Sequence, residues 1–323
     1  MPFEMFDRSR LKLLPLEQRI HDLKLETTML PAVSDNGYRH PTIDLLAQRI
    51  RIAREKGANV TMMLGGHVVR SGVAPAMEAM MKAGYITHFA MNGAAAIHDF
   101  EFALIGATTE SVAKYISEGQ FGLWKETGLY NDAVNEGARL GLGFGESLGR
   151  YIEEHQFPYR QYSILAAGYR EQVPVTVHVG IGCDIVHEHP NADGALIGEA
   201  TYRDFLIYSK CIENLENGVF LDFGSAVIGP EVYLKALSMA RNVAHQEGRT
   251  IGRFTTVVFD LLDLEGKDVH EAPPKSDARY YFRPWKTILA RTVADGGEGY
   301  YVQGVHKETV PALAWRLLGG ENQ

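Results

Sequence analysis

Twice within residues 61–106 an apolar run stops at small residues and gives way to a helical pattern, and this constrains the fold more than anything else in the chain. The first run ends in Leu64-Gly65-Gly66-His67, with a helix expected to open near Ser71-Gly72. The second, residues 86–91, runs into Asn92-Gly93-Ala94-Ala95-Ala96-Ile97-His98-Asp99-Phe100-Glu101. In an open parallel sheet such junctions lie at the carboxyl ends of the strands. There, backbone N–H groups and helix N-termini face a ligand crevice. Asn92 and Gly93 suit a tight turn that lets a ligand approach the main chain, and His98, Asp99 and Glu101 put titratable groups within one helical turn of it.

The alternation continues along the chain. Strands are expected at 60–64, 86–91, 175–179, 219–223, 254–259 and 299–302, and helices at 43–56, 73–82, 95–105, 195–215, 232–244 and 308–317. A helix-rich stretch fills 110–168. This pattern predicts an α/β chain: a Rossmann-like, doubly wound, mostly parallel sheet with helices on both faces. Residues 1–40 read as an irregular arm with a short helix, and residues 41–323 as a single domain. The glycines of 141–149 imitate a dinucleotide fingerprint, but their spacing is wrong and no strand precedes them. They are expected to serve close packing of a helix running from 131 to 152.

Composition excludes several classes of partner. The formal net charge is −8 with no basic block, which argues against nucleic acid and against an anionic membrane surface. No apolar run is long enough to span a bilayer, and the start of the chain lacks the apolar core of a signal peptide. The two cysteines, Cys183 and Cys211, have no paired spacing and read as reduced thiols of a cytoplasmic protein.

Other crevice candidates stand where strands end: His178 to Asp184, Asp222-Phe223-Gly224-Ser225, and Asp260. Glycines allow close approach to a ligand, and an acid at a strand end can accept ribose hydroxyls. His178, Cys183, Asp184, His187, Glu188 and His189 crowd together and invite a metal-site reading as well as that of a polar loop over the crevice. No established zinc-enzyme spacing is present, so no metal ligand is assigned. Lys286 follows Tyr280, Tyr281, Phe282 and Trp285. These rings either desolvate its amine for imine chemistry or carry its aliphatic stem while the ammonium stays in water.

Several of these segments, in order, resemble the deoxyhypusine synthase family from about residue 40 onward. Ser71-Gly72 reproduces a Ser-Gly pair of its first cofactor loop. Asn92-Gly93-Ala94 through Glu101 matches a small-residue turn followed by acids, 174–184 its strand and Gly-x-Gly-Asp-like loop, and 222–228 a glycine turn. Trp285-Lys286 lies where the family has a tryptophan just before its imine-forming lysine. The resemblance implies an NAD-dependent aminobutyl transferase, typically a homotetramer, in which NAD takes a hydride from a carbon beside an amine and the imine passes through the lysine. It implies NAD held by Gly65, Gly66, Ser71, Asn92, Gly93, Gly224, Ser225 and Asp260, and a small cationic amine held by Trp285, Glu101, Asp184 and His178. Lys286, His98 and Asp99 are the expected catalytic groups. Asn92 to Glu101 is also similar to a segment of the archaeal-type NAD-dependent ornithine cyclodeaminases, which would make His98 the base and need no enzyme lysine. A protein that binds NAD without catalysis and a metal-dependent hydrolase are the remaining alternatives.

Overall fold

A computed structural model describes residues 3–319. Its centre is a sheet of six strands: β1 (Val60–Leu64), β2 (His88–Asn92), β3 (Val175–His178), β4 (Val219–Phe223), β5 (Thr255–Asp260) and β6 (Glu298–Gln303). They lie in the order β3-β2-β1-β4-β5-β6, and every neighbouring pair is parallel. The chain therefore winds outward from β1 to one edge, returns to the centre at β4 and winds to the other edge. This is the Rossmann-like, doubly wound sheet that the alternation predicts.

Parallel strands need crossover connections, and helices supply them on both faces. They are α1 (Pro41–Glu55), α2 (Gly66–Arg70), α3 (Ala74–Lys82), α4 (Gly93–Ile105), α5 (Leu129–Arg139), α6 (Phe144–Glu154), α7 (Ile164–Glu171), α8 (Gly194–Ile212), α9 (Ile228–Gln246) and α10 (His306–Leu318). Side chains alternate across each strand. Met62 and Leu64 of β1 join one core cluster with Ile50, Met77 and Leu313. Met63 points the other way, into a second cluster with Tyr208, Tyr233 and Ile288. Burial on both faces is why β1 and β4 read as mostly apolar runs, each interrupted by one polar residue, Thr61 or Asp222, rather than alternating ones.

Three local expectations are corrected. The helix expected at 73–82 forms as α3, but an additional short helix, α2, opens before it at Gly66, directly behind the strand, and Ser71 ends it. The expected single helix from 131 to 152 breaks into α5 and α6 around Gly141, whose φ of 82° cannot continue a helix. The glycines around the break do pack closely: a Cβ at residue 145 would stand 1.8 Å from the Val175 carbonyl oxygen. The N-terminal arm is more ordered than its sequence suggests, because Leu23–Lys24 pairs antiparallel with Ala107–Thr108 behind α4. Among the described residues no helix is long and apolar enough to cross a membrane.

One buried acid ties two layers together. Asp204 on α8 accepts hydrogen bonds from the backbone N–H of Gly145 (2.9 Å), at the start of α6, and of Val177 (2.6 Å), on the edge strand β3. Burial pushes its carboxyl up from 3.8 to about 7. The folded state therefore holds this proton more tightly than the unfolded chain, and the stability contributed by the group falls as pH rises through about 7. Asp204→Ala leaves two buried donors without partners, each worth about 1–3 kcal/mol. We expect a large drop in the urea midpoint for Asp204→Ala and a smaller one for Asp204→Asn. The asparagine variant should also lose the part of the decline in stability between pH 4 and pH 7 that this carboxyl causes.

Candidate active site

The sheet reverses its winding between β1 and β4, and their loops separate there. Gly65 N–H donates to the Phe223 carbonyl (2.9 Å), and a Cβ on residue 65 would lie 2.1 Å from the Gly224 carbonyl oxygen. Only glycine permits that approach. On the β4 side, Ser225 Oγ accepts from Gly229 N–H (2.9 Å) as α9 begins, and Asp260 ends the next strand. Asp260 Oδ1 accepts from the N–H groups of Leu261 and Leu262, and its second oxygen has no partner among the described residues. A glycine turn, a long helix and an acid at the end of the following strand thus stand together on β4 and β5. The turn after β1 lacks its usual acid, since β2 ends in Asn92, whose Oδ1 caps α4 by accepting from Ala95 N–H (2.9 Å).

Beside this crevice, at the carboxyl ends of β2 and β3, lies a cavity of about 350 Å³. Ala94, Ile97, His98 and Glu101 of α4 line it, a spacing of three and four residues that marks one helix face. Arg70, at the end of α2, lines a further side, as do Cys183 and Asp184 of the loop after β3 and Arg19 and Asp22 of the arm. Gly93 lets Asp184 come close: a Cβ at 93 would sit 1.9 Å from Asp184 Oδ2. Burial raises the Asp184 carboxyl to about 6 and lowers His98 to about 4, so His98 is a neutral imidazole at neutral pH. Glu101 is committed elsewhere, to Arg19 Nη1 (2.7 Å) and to the Thr108 hydroxyl (2.6 Å). Arg70 has no acidic partner among the described residues, and its Nε is buried without a hydrogen bond.

The other expected residues lie apart from this cavity. Asp99 faces the opposite side of α4 from His98, where it accepts from Ser163 Oγ and from the N–H groups of Ile164 (2.8 Å) and Leu165 (3.3 Å). It caps α7, is fully buried and does not line the cavity. His178 is buried and hydrogen-bonded to Thr176 Oγ1 (3.0 Å), which also contacts His88. Trp285 is 2% exposed, sits in the core cluster on the α9 side and donates Nε1–H to the Glu271 carbonyl (3.0 Å). Lys286 lies in a π-helical segment, Pro284–Arg291, with Nζ 3.8 Å from the centre of the Tyr280 ring. Lys286 is 4% exposed and covered by that ring, so its head does not stay in water. Ser71 Oγ donates to the His67 carbonyl, at the end of α2 away from Gly66. Among the described residues no three His, Cys, Asp or Glu side chains are grouped to hold a metal. His189 binds the Gly122 carbonyl (2.8 Å), while His187 Nδ1 accepts from the N–H groups of Gly182 and Asp184.

Arg19, Asp22, Arg70 and Thr108 escaped the sequence reading. Arg70, as the cation following Gly65-Gly66, had a local signal; the arm residues had none, since the arm reaches the cavity through contacts distant in sequence, such as its pairing with residues 107–108 and the Ile20 N–H to the Tyr115 hydroxyl. Asp99→Ala should cost about 2 kcal/mol or more of stability, because it leaves the start of α7 with buried unpaired donors. A lowered melting temperature with ligand affinity unchanged at a temperature where the variant is folded is the expected outcome. A selective loss of affinity would return Asp99 to the site.

Comparison with known proteins gives a consistent picture. A family model described as arginine dihydrolase ArgZ-like, C-terminal, Rossmann fold, matches residues 44–122. Among solved structures, the apo form of ArgZ, an arginine dihydrolase from the ornithine-ammonia cycle in cyanobacteria, is similar with a TM-score of 0.51 and 16% identity. That match covers 87% of this chain and 32% of ArgZ. A mutant of AgrE in binary complex with L-arginine matches with a TM-score of 0.52 and 15% identity, over 87% of this chain and 33% of its own. A conserved putative LOR/SDH protein from Methanococcus maripaludis S2 matches with a TM-score of 0.54 and 15% identity, over 90% and 73%. No curated protein matches the chain in sequence. The chain thus spans about a third of the length of ArgZ and AgrE, and the likeness shows the fold. These findings overturn the resemblance to deoxyhypusine synthase: the matching family model and the structural neighbours are ArgZ-like and LOR/SDH-like. With it go the aminobutyl transferase, the polyamine donor, the lysine imine and the only ground for a tetramer.

Proposed function

We propose that the protein binds NAD across the carboxyl ends of β1, β4 and β5 and acts as a lyase-type enzyme on a small cationic amino acid in the adjoining cavity. The observation that carries this is the neutral His98 imidazole on the wall of one cavity together with a guanidinium that has no acidic partner among the described residues, Arg70, and a carboxylate that has no cationic one, Asp184, which caps the turn at 185–188. A zwitterion with a second ammonium group complements such walls: Arg70 takes the carboxylate, and Asp184 with Asp22 takes positive charge. NAD, held by Gly65, Gly66, Gly224, Ser225 and Asp260, would supply hydride acceptance from the carbon bearing the amine. The His98 Nε2 lone pair receives the proton that must leave the substrate ammonium, and Ile97 and Phe121 keep the cavity wall apolar.

The names of the neighbours support the substrate class, since AgrE was captured with L-arginine. Dihydrolase activity is the property of the much longer ArgZ chain, and the matched family model is that of a C-terminal Rossmann part, which favours dinucleotide chemistry for this chain. The two unpaired thiols suit a reducing compartment, and we assign the enzyme to the cytoplasm.

The test is a panel of L-ornithine, L-arginine, agmatine and putrescine, followed by NADH absorbance and by ammonia release. Ammonia release that requires NAD is expected with an amino acid and not with the decarboxylated amines. Ammonia from arginine without NAD would point instead to hydrolysis. His98→Ala should lower kcat about 100-fold or more, and Arg70→Ala should raise KM about tenfold or more through loss of a charged hydrogen bond. Because Asp184 must be ionised to hold the ammonium, kcat/KM should fall as pH drops through about 6. In Asp184→Asn that limb should vanish.

A further inference from the structure

The hydrogen bonds around His98 admit only one arrangement of protons. Arg19 Nη1 lies 2.7 Å from Glu101 Oε1, with the two side chains 1% and 4% exposed, so Glu101 is an ionised carboxylate that can only accept. Its other oxygen, Oε2, lies 2.6 Å from Thr108 Oγ1. The threonine hydroxyl has one hydrogen, and it must go to that oxygen. His98 Nδ1 is 2.9 Å from the same Thr108 Oγ1, which has only a lone pair left to offer. Nδ1 must therefore carry the imidazole proton and donate it to threonine. Nε2 is then the unprotonated nitrogen, and no group among the described residues hydrogen-bonds to it.

We propose that Thr108, oriented by the buried Glu101–Arg19 pair, locks His98 in its Nδ1–H tautomer, so that Nε2 presents its lone pair to the cavity. Thr108, Glu101 and Arg19 are positioning residues; of these four, only His98 touches the substrate. The chain His98–Thr108–Glu101–Arg19 draws its last member from the N-terminal arm, and Arg19 Nε continues to His21 Nδ1 (3.0 Å). The arm is thereby a working part of the site, held over α4 by the pairing of Leu23–Lys24 with Ala107–Thr108, the strand that carries the threonine. In water the two neutral imidazole tautomers exchange freely. Here the wrong one would point a proton at the substrate ammonium and leave a threonine lone pair buried without a donor.

The role of Nε2 as a base rests on the proposed function, but the tautomer does not, and one set of measurements separates them. Protein labelled with ¹⁵N at histidine is examined by long-range ¹H–¹⁵N correlation, and the His98 pattern is assigned as the one lost in His98→Gln. The expected wild-type pattern is a protonated Nδ1 and an unprotonated Nε2, without cofactor or substrate. Thr108→Val should give a mixed or inverted tautomer, with kcat down about tenfold or more and KM little changed. Thr108→Ser, which keeps the hydroxyl, should restore both. A protonated Nε2 in the wild type overturns the proposal, as does a Thr108→Val protein whose tautomer is unchanged. The wild-type spectrum decides the matter even if Thr108→Val does not fold. The expected tautomer in a protein that neither binds NAD nor turns over amino acids would sink the proposed function and leave the tautomer standing.

Discussion

Six strands that all run one way, all but the edge strand β6 buried on both faces, leave this chain a single edge at which its strand-to-helix turns emerge. A parallel strand buried on both faces cannot end in a polar turn within the sheet, so every glycine, acid and imidazole following a strand is swept to that edge. The winding reverses between β1 and β4, and the crevice opens where those two strands part. The close approach of Gly65 to Gly224 keeps the floor of that crevice clear of side chains. The cavity under α4 is a neighbour of that floor.

Within the site, helical periodicity sorts the chemistry. His98 and Asp99 are adjacent in sequence, but about 100° separates their directions on α4. His98 turns toward the cavity with Ala94, Ile97 and Glu101, while Asp99 turns into the body of the protein and caps α7. Burial then sets their protonation in opposite senses. Desolvation strips His98 of its charge and raises the Asp99 carboxyl to about 6, with the hydrogen bonds from the α7 side offsetting part of that rise. The Arg19–Glu101 pair is the costly element of this arrangement. Removing either partner would strand a buried charge, at about 3–5 kcal/mol. An ion pair kept at that depth makes sense as a device for orienting Thr108.

On the far face, Lys286 and Trp285 show how an aromatic-rich segment can mislead. An amine beside four rings looks primed for covalent chemistry. Packed into a π-helical turn, the indole instead fills the core and the ammonium rests on the Tyr280 ring, whose negative face offsets part of the hydration lost on burial. The neighbouring Arg283 pairs with Glu231 of α9 (3.3 Å), so the charges here hold the β5–β6 crossover to that helix.

The class of fold and the six strands were legible from the residues alone, because apolar periodicity and small residues at strand ends act over a few positions and survive in one dimension. The small-residue turns at 65–66, 92–93 and 224–225 could be read for the same reason: an acute turn between strand and helix demands particular residues whatever surrounds it. Partnership could not. Arg19 reaches Glu101 across 82 positions, Asp204 reaches Val177 across 27, and Asp184 comes against Gly93 only because β3 lies beside β2 in the sheet. Whether a carboxylate in this protein is a cap, a strut or a ligand for substrate depends on which distant donor burial brings to it, and only the packed structure decides that.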